Sequence, residues 1–366
     1  MIDTALKARL KARIKASGPL SVADYMSACL TDPQHGYYTT RTVFGTKGDF
    51  ITAPEVSQMF GELIGAFCLS AFEQMGSPKT FNLVELGPGR GVLMSDLLRT
   101  AKLRPAFLKA TQLTLVEVSS KLKEVQRKTL ASSGLEPTFV DSFDKVQDGP
   151  LIVVANEFFD ALPIHQFMKT PSGWMERCIG LDDNEELVFG IGANKLPTSE
   201  IPQDISNAPD GTILETQPIA NAVAQQIASR IKNQGGAAIF IDYGYLKSAA
   251  GETLQALYKH KYDDVLAHPG EADITAHVNF DALSNACKQA GVLPMPPLEQ
   301  GEFLLRMGLL ERAGALGAGK THEEQEAIRD SVERLAAPEQ MGKLFKVLGI
   351  TATKDPLPPF DLSSRS

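Results

Sequence analysis

Short runs of apolar residues alternate with longer segments of mixed polarity through the middle of the chain. The runs are rich in Val, Ile, Leu and Phe, which is typical of strands that are buried on both faces of a sheet. Strands separated by helical segments predict βαβ units and a parallel sheet. We therefore expect an α/β fold with a Rossmann-like sheet and helices on both faces. The first of these runs begins at Phe81, and the others are Leu113–Glu117, Pro137–Asp141, Leu151–Ala155 and Ala237–Ile241.

The segments outside the sheet predict additions at both ends and one insertion. Roughly eighty residues separate the fourth and fifth predicted strands, which is too many for one crossover helix. A hairpin over Trp174–Gly190 accounts for part of them, and the tail after Gly301 is predicted to be helical. The predicted organisation is N-terminal helices and a cofactor-covering loop at 1–58, a cofactor-binding core at 59–170 and 211–300, an inserted hairpin or flap at 171–210, and a helical extension at 301–366.

The first predicted strand leads into a glycine-rich loop, Glu85-Leu-Gly-Pro-Gly-Arg-Gly91, that opens a helix near Val92. Glycines permit positive φ and leave room for a ligand beside the backbone, and the helix directs its first N–H groups at that ligand. The spacing G-x-G-x-G differs from the G-x-G-x-x-G of dinucleotide folds. Glu85 would repel a pyrophosphate but would attract the sulfonium and ammonium groups of S-adenosylmethionine, so this cofactor is favoured over NAD. An ordinary strand-to-helix turn is the alternative without a ligand.

Other predicted strands also end in acidic residues. Glu117 closes the second strand, where a carboxylate can accept both ribose hydroxyls of a nucleoside. Asp141 and Ser142 close the third strand at a position that suits an adenine amino group. The fourth strand leads into Asn156-Glu-Phe-Phe-Asp160, where poorly hydrated acids beside aromatic rings would attract a cation strongly. Asp160 also has an interpretation without a ligand: an acidic residue there can stabilise the N-terminus of a helix.

Composition limits the classes of function. The 366 residues are 43% hydrophobic, enough for a large core, and the net charge of −8 disfavours nucleic acid as a partner. The four cysteines form no C-x-x-C pair, and the sequence has neither a metal-ligand nor a Ser-His-Asp spacing. No apolar stretch has the length of a membrane span. The basic residues from Lys7 to Lys15 resemble a transit peptide superficially, but a solvated first helix explains them equally well, so a cytoplasmic protein is expected.

Five stretches of sequence, spread over most of the chain, are specific in combination. They are Gly48-Asp-Phe-Ile-Thr-Ala-Pro-Glu55, Glu85-Leu-Gly-Pro-Gly-Arg-Gly91, Asn156-Glu-Phe-Phe-Asp-Ala-Leu-Pro163, Asp242-Tyr-Gly244 and Asp273-Ile-Thr-Ala-His-Val278. Together they resemble the MidA family of class I S-adenosylmethionine-dependent methyltransferases, whose mitochondrial members act in respiratory complex I assembly. The resemblance implies methylation of an arginine guanidinium in a partner protein, with a complex I subunit as the target. It implies the mitochondrial matrix as the location if the chain is eukaryotic.

Within that resemblance, the cofactor is expected to contact residues from several parts of the chain. The glycines of the loop should approach its methionine part, and Glu85 should lie near its ammonium group. The covering loop that ends at Glu55 should close over the same part of the cofactor. The expected cofactor contacts are Glu85, Gly87, Gly89 and Gly91 at the methionine part, Glu117 at the ribose, Asp141 and Ser142 at the adenine, Thr52 and Pro54 in the covering loop, and Val118.

The acceptor is expected at the end of the fourth strand. A guanidinium group is a planar cation that carboxylates bind through its fork of N–H groups. Glu157 is therefore predicted to orient it, with Asp160 assisting and Asn156 forming hydrogen bonds with the cofactor or the target. Two other functions stay open at this point: an assembly protein that binds the cofactor without catalysis, and an NAD-dependent oxidoreductase, which the glycine spacing disfavours.

Overall fold

The computed structural model describes residues 4–40, 52–202 and 205–361. Helices and strands alternate through the middle of the chain, as the sequence predicts. The α-helices are α1 (Ala5–Ser17), α2 (Val22–Thr31), α3 (Tyr37–Thr40), α4 (Ala53–Val56), α5 (Gln58–Gln74), α6 (Val92–Ala101), α7 (Pro105–Ala110), α8 (Ser120–Leu130), α9 (Pro218–Gln234), α10 (Phe280–Gln289), α11 (Gln300–Arg306), α12 (Leu309–Gly317) and α13 (His322–Ala336). The strands are β1 (Leu20–Ser21), β2 (Phe81–Leu86), β3 (Thr111–Val116), β4 (Thr138–Val140), β5 (Leu151–Asn156), β6 (His165–Thr170), β7 (Gly173–Leu181), β8 (Leu187–Lys195), β9 (Ile213–Thr216), β10 (Gly236–Tyr245), β11 (Gln255–Tyr258), β12 (Lys261–Asp263), β13 (Asp273–Thr275), β14 (Val278–Asn279), β15 (Leu298–Glu299) and β16 (Phe345–Thr351).

The chain divides into two compact units, and each is made of three separate segments. The first comprises Met1–Phe50, Asp160–Asn221 and Lys247–Ala282, and the second comprises Ile51–Phe159, Ala222–Leu246 and Leu283–Ser366. The predicted boundaries differ from this division. Residues 160–170, 211–221 and 247–282, which the sequence assigned to the cofactor-binding core, lie in the first unit, while the predicted C-terminal extension belongs to the second.

The second unit contains a mainly parallel sheet with the strand order β15-β16-β10-β5-β2-β3-β4. The strands from β10 to β4 run parallel to one another, so their carboxyl ends lie along one edge of the sheet. All residues of β2 and β5 are buried, as expected for central strands of a parallel sheet. The predicted α/β, Rossmann-like fold is confirmed, and it brings the strand ends that carry Glu85, Glu117 and Asn156 to a common edge.

The tail of the chain is only partly helical. The predicted helical character is confirmed for α13, where Thr321 and Glu324 form a capping box at the start of the helix. The prediction of helix throughout the tail was wrong for Phe345–Thr351, which forms the fully buried strand β16. This strand pairs antiparallel with β10 over seven residues, because its run of apolar residues completes the sheet beside β10.

The first unit is mixed, with two antiparallel sheets and its own apolar core. One sheet has the order β1-β7-β6-β9 with β8 paired to β7, and the other has the order β12-β11-β13. The hairpin predicted over residues 174–190 is confirmed as β7 and β8, joined by a turn at Asp182. The apolar stripe of α1, formed by Leu6, Leu10 and Ile14, is buried in the core of this unit.

The three lysines of α1 make ion pairs with the β7–β8 turn. Lys7 and Lys11 lie 2.9 and 2.8 Å from the carboxylate of Glu186, and Lys15 lies 2.6 Å from that of Glu185. These pairs account for the basic pattern of the first helix as part of a folded unit. Among the described residues, no helix combines the length and apolarity that crossing a membrane requires.

Candidate active site

The glycine-rich loop after β2 has the backbone conformation that the sequence predicts. Gly87, Gly89 and Gly91 have φ values of 60°, 53° and 81°, and Gly91 is the N-cap of α6. A Cβ atom on Gly87 would lie 3.1 Å from Cδ2 of Phe158, which is tighter than ordinary contact. Positive φ and the close approach of the Phe158 ring both favour glycine at this position.

Glu85 precedes this loop at the end of β2 and is almost completely buried, with 3% of its surface exposed. Its Oε2 atom has no hydrogen-bond partner among the described residues. Burial raises the pKa of Glu85 to about 8, because the ionised carboxylate loses its hydration. A carboxylate in this state is stabilised by a cationic ligand, which supplies the countercharge that the described residues do not.

Glu117, at the end of β3, is held by two hydrogen bonds. Its Oε1 accepts from the backbone N–H of Ser119 at 2.7 Å, and its Oε2 accepts from Nε2 of Gln126 at 3.0 Å. Burial raises the pKa of Glu117 in spite of these bonds. Gln126 also donates to the backbone oxygen of Gly89, at 2.7 Å. Sequence reasoning missed Gln126, although a polar residue between Leu122 and Leu130 on the buried stripe of α8 is a signal that could have found it.

Val118 and the two predicted adenine contacts lie in a more exposed region. Val118 follows Glu117 and has 57% of its surface exposed, so an apolar surface is available beside the β3 end. Asp141 lies after β4 and pairs with Lys145 at 2.6 Å, and this partner lowers the pKa of Asp141 below its usual range. The hydroxyl of Ser142 donates to Oδ1 of Asp141 at 3.3 Å.

The turn after β5 places Glu157 in a backbone conformation that is uncommon outside glycine. Glu157 has φ +50°, and its N–H donates to the backbone oxygen of Ile241 at 2.9 Å. Its Oε1 accepts from the N–H of Ala53 and from Nδ2 of Asn156, both at 3.2 Å. A non-glycine residue at positive φ costs free energy and is found preferentially at functional sites. These contacts fix the orientation of the Glu157 carboxyl group.

Asp242, in the fourth of the five sequence stretches, contacts the turn that follows β5. It lies inside β10 and is fully buried. Its Oδ2 accepts the N–H groups of Phe158 and Phe159 at 3.1 and 2.9 Å, and its Oδ1 accepts that of Tyr243 at 3.0 Å. Asp242 therefore holds the turn that follows Glu157 by binding its backbone.

The short helix α4 connects the glycine loop with Glu157. Thr52 is its N-cap and makes no side-chain capping bond, while Pro54 is buried in its first turn. The N–H of Ala53 instead donates to Glu157, and Glu55 pairs with Arg90 of the glycine loop at 3.5 Å. Residues 48–51 of the predicted covering loop lie outside the described residues.

Asp160 belongs to the first unit, whereas Asn156 and Glu157 belong to the second. In its own unit Asp160 is buried, and its backbone oxygen accepts the N–H of Ala276 at 3.1 Å. Tyr38 donates to Oδ1 of Asp273 at 3.1 Å. Burial, followed by the charges of Asp273 and Asp160, raises the pKa of Tyr38 well above its usual value. The two acids and the phenol form an electronegative cluster in the first unit.

The residues of the second unit fit S-adenosylmethionine chemically. Oε2 of Glu85, Oε1 of Gln126 and Oδ1 of Asn156 are buried oxygens that accept no hydrogen bond from the described residues. Such oxygens are costly to bury unless a donor reaches them. The cofactor offers donors of the required kinds in its ammonium group, its ribose hydroxyls and its adenine amino group. The glycines leave the loop backbone open to close approach.

Comparison with known proteins decides the family. Residues 63–296 match the family described as "Putative S-adenosyl-L-methionine-dependent methyltransferase". The chain belongs to this methyltransferase family. The methyltransferase is 37% identical, over 93% of its own length and 83% of the relative's, to "Protein arginine methyltransferase NDUFAF7, mitochondrial" of Mus musculus. It is 35% identical to the Homo sapiens protein of the same name, over 95% of the chain and 83% of that relative.

Solved structures agree with this assignment. A Burkholderia thailandensis protein, described as a "likely methyl transferase" and crystallised with S-adenosyl-homocysteine, superposes with a TM-score of 0.84 and is 28% identical. The match covers 98% of the methyltransferase and 95% of that protein. The predicted methyltransferase activity and S-adenosylmethionine cofactor are thereby confirmed, and the NAD-dependent alternative is set aside.

Proposed function

We propose that the methyltransferase transfers methyl groups from S-adenosylmethionine to an arginine guanidinium of a partner protein. The observation that carries this proposal is Glu157, a carboxylate at positive φ whose orientation is fixed at the end of β5. The arginine methyltransferases to which the chain is 35–37% identical support the same acceptor chemistry.

The proposed acceptor side depends on charge and orientation. A guanidinium is a poor nucleophile because its positive charge is delocalised over three nitrogens. A carboxylate that accepts its N–H groups binds the planar fork and favours a lone pair on the nitrogen that reacts. We assign this role to Glu157, which can also take the proton that this nitrogen loses when the N–C bond forms. Asn156, whose Nδ2 donates to Glu157, holds the carboxylate, and Asp160 assists.

The proposed cofactor side uses the residues that line the edge of the sheet. When bound, S-adenosylmethionine supplies an electrophilic methyl group on a sulfonium. Glu85 pairs with its ammonium group, and Glu117 accepts its ribose hydroxyls. The other proposed contacts are Gly87, Gly89 and Gly91 at the methionine part, Val118 with Asp141 and Ser142 at the adenine, and Thr52 and Pro54 from α4.

We infer that the partner is a subunit of respiratory complex I, as the resemblance to the MidA family implies. The compartment would then be the one in which that subunit is assembled, the bacterial cytoplasm or the mitochondrial matrix. The mitochondrial designation of the mouse and human relatives supports the second of these for a eukaryotic chain.

The variant Glu157→Gln tests the proposed function. Glutamine retains an oxygen that can accept the N–H of Ala53 but removes the charge, so the fold and cofactor affinity should persist while methyl transfer is lost. The measurement is mass spectrometry of complex I subunits from cells that contain the wild type, the variant or no methyltransferase. Glu73→Gln, at an exposed ion pair with Arg104, is the control for the loss of one negative charge.

Each outcome of this experiment has a distinct meaning. An arginine methyl mark that requires the wild type and disappears with Glu157→Gln supports the proposal. A mark that persists with Glu157→Gln refutes the role of Glu157. If complex I assembly depends on the protein but no arginine mark does, the protein acts as a non-catalytic assembly factor and the proposed activity is wrong.

A further inference from the structure

Gln126 joins two parts of the cofactor site that are far apart in sequence. We propose that Gln126 is a positioning residue, which fixes the glycine loop relative to Glu117 so that the methionine part and the ribose of the cofactor are bound together. This inference rests on the cofactor roles proposed above for Gly89 and Glu117.

The two hydrogen bonds of Gln126 provide the first support. Both leave from the same nitrogen, Nε2, one to the backbone oxygen of Gly89 at 2.7 Å and one to Oε2 of Glu117 at 3.0 Å. A neutral amide has two N–H donors on one atom, which matches this arrangement of two acceptors. A glutamate at the same position would lack both donors and would place a second negative charge beside Glu117.

Packing provides the second support. Gln126 is completely buried, and a Cβ atom on Gly91 would lie 3.6 Å from its Cα and Cγ atoms. Gln126 thus lies beside Gly91 and binds Gly89, and it shares the buried stripe of α8 with Leu122 and Leu130. A shift of this side chain would therefore change the loop and the Glu117 carboxylate together.

A purely structural role would give a different result, and the chain offers a matched control. Gln300 in α11 is also completely buried. Its Nε2 donates to the backbone oxygen of Leu335 at 2.9 Å, and its Oε1, like that of Gln126, accepts no hydrogen bond from the described residues. Replacing either glutamine removes a buried amide from the second unit, but only Gln126 contacts the proposed cofactor residues.

The test compares Gln126→Met with Gln300→Met by calorimetric titration with two ligands. S-adenosyl-homocysteine carries both the amino-acid part and the ribose, whereas 5′-methylthioadenosine lacks the amino and carboxyl groups. Gln126→Met should weaken S-adenosyl-homocysteine binding by roughly 10- to 100-fold, because the bonds that hold both Glu117 and the glycine loop are lost. The fold-loss of methylthioadenosine affinity should be about ten times smaller, since that ligand depends on Glu117 but not on the glycine loop. Gln300→Met should leave the ratio of the two affinities unchanged.

Gln126→Asn serves as the second variant if Gln126→Met does not fold. Asparagine keeps a buried amide but is one methylene too short to reach both acceptors, so the same loss of ligand selectivity is expected. Unchanged affinities, or equal losses for both ligands, would overturn the inference. Glu117→Ala separates this failure from that of the proposed site. If it weakens binding of both ligands while Gln126→Met does not, only the positioning role is wrong, whereas no effect of either variant refutes the cofactor roles as well.

Discussion

Replacing Glu85 by glutamine tests the buried carboxylate at the start of the glycine loop. Burial raises its pKa from the usual 4.5 to about 8, so between these values the folded protein holds a proton that the unfolded chain has released. The free energy of unfolding therefore falls as the pH rises through this window. The two pKa values differ by about 3.5, and each pKa unit corresponds to about 1.4 kcal/mol, so the loss is at most about 5 kcal/mol.

The variant Glu85→Gln keeps the shape of the side chain but cannot ionise. Without cofactor, it should be more stable than the wild type above pH 8 by a few kcal/mol and should approach it near pH 5. Urea unfolding at several pH values measures this difference. Other buried acids with raised pKa values, such as Asp96 and Glu117, are present in both proteins, so the comparison isolates Glu85.

Cofactor binding should show the opposite trend. A cationic ammonium group favours the ionised carboxylate, so binding below pH 8 requires the loss of the proton from Glu85. The affinity of the wild type for S-adenosylmethionine should then rise up to about tenfold per pH unit from pH 6 to 8, with release of one proton. Calorimetry in two buffers with different heats of ionisation measures that proton. The reasoning is refuted if Glu85→Gln binds the cofactor as well as the wild type does, with the same dependence on pH.

Three further variants test other parts of the second unit. Asp242→Asn should destabilise the fold by about 2–4 kcal/mol and abolish methyl transfer, because an amide has only one accepting oxygen and cannot serve Phe158 and Phe159 on one side and Tyr243 on the other; equal urea midpoints would contradict this. Gly87→Ala should weaken S-adenosylmethionine binding. Gly76→Ala is the control: Gly76 also has positive φ, but an added Cβ atom would have no neighbour within 4 Å, so this variant should cost only about 1 kcal/mol of stability. Glu62→Gln should cost about 1–3 kcal/mol at neutral pH, since arginine hydrogen bonds overcome the effect of burial and lower the pKa of Glu62. The stability that the Glu62 carboxylate contributes is present above pH 4.5 and is lost as the pH falls through its lowered pKa, so the gap should close in acid unfolding curves.

Local patterns in the sequence were enough to predict the parallel strands and the glycine loop. The positive φ of Gly87, Gly89 and Gly91 follows from the loop composition, because only glycine adopts this conformation at little cost. The prediction failed where pairing between distant segments overrides local pattern. Phe345–Thr351 follows helical segments in the chain but forms a strand, because β10 offers an unpaired edge that this apolar segment can cover.

In the candidate site too, the sequence predicted features that depend on neighbouring residues but not contacts between distant segments. The acids that end β2, β3 and β5 were identified from the sequence, because a polar residue directly after a buried strand stands out. The roles of Gln126 and Asp242 were not, since their partners lie 37 and 84 residues away. The separation of Asp160 from Glu157 into different units was also invisible in a stretch of neighbouring residues.

The sequence by itself determined the fold class, the cofactor and the acidic residues at the carboxyl ends of the parallel strands. These depend on periodicity and on backbone sterics, which act between near neighbours. Only the tertiary structure decided that Glu85 is buried without a hydrogen bond to Oε2, that Glu157 adopts positive φ, and that Gln126 donates hydrogen bonds to both Gly89 and Glu117. Those properties arise from desolvation and from contacts between distant segments, which exist only once the chain has folded.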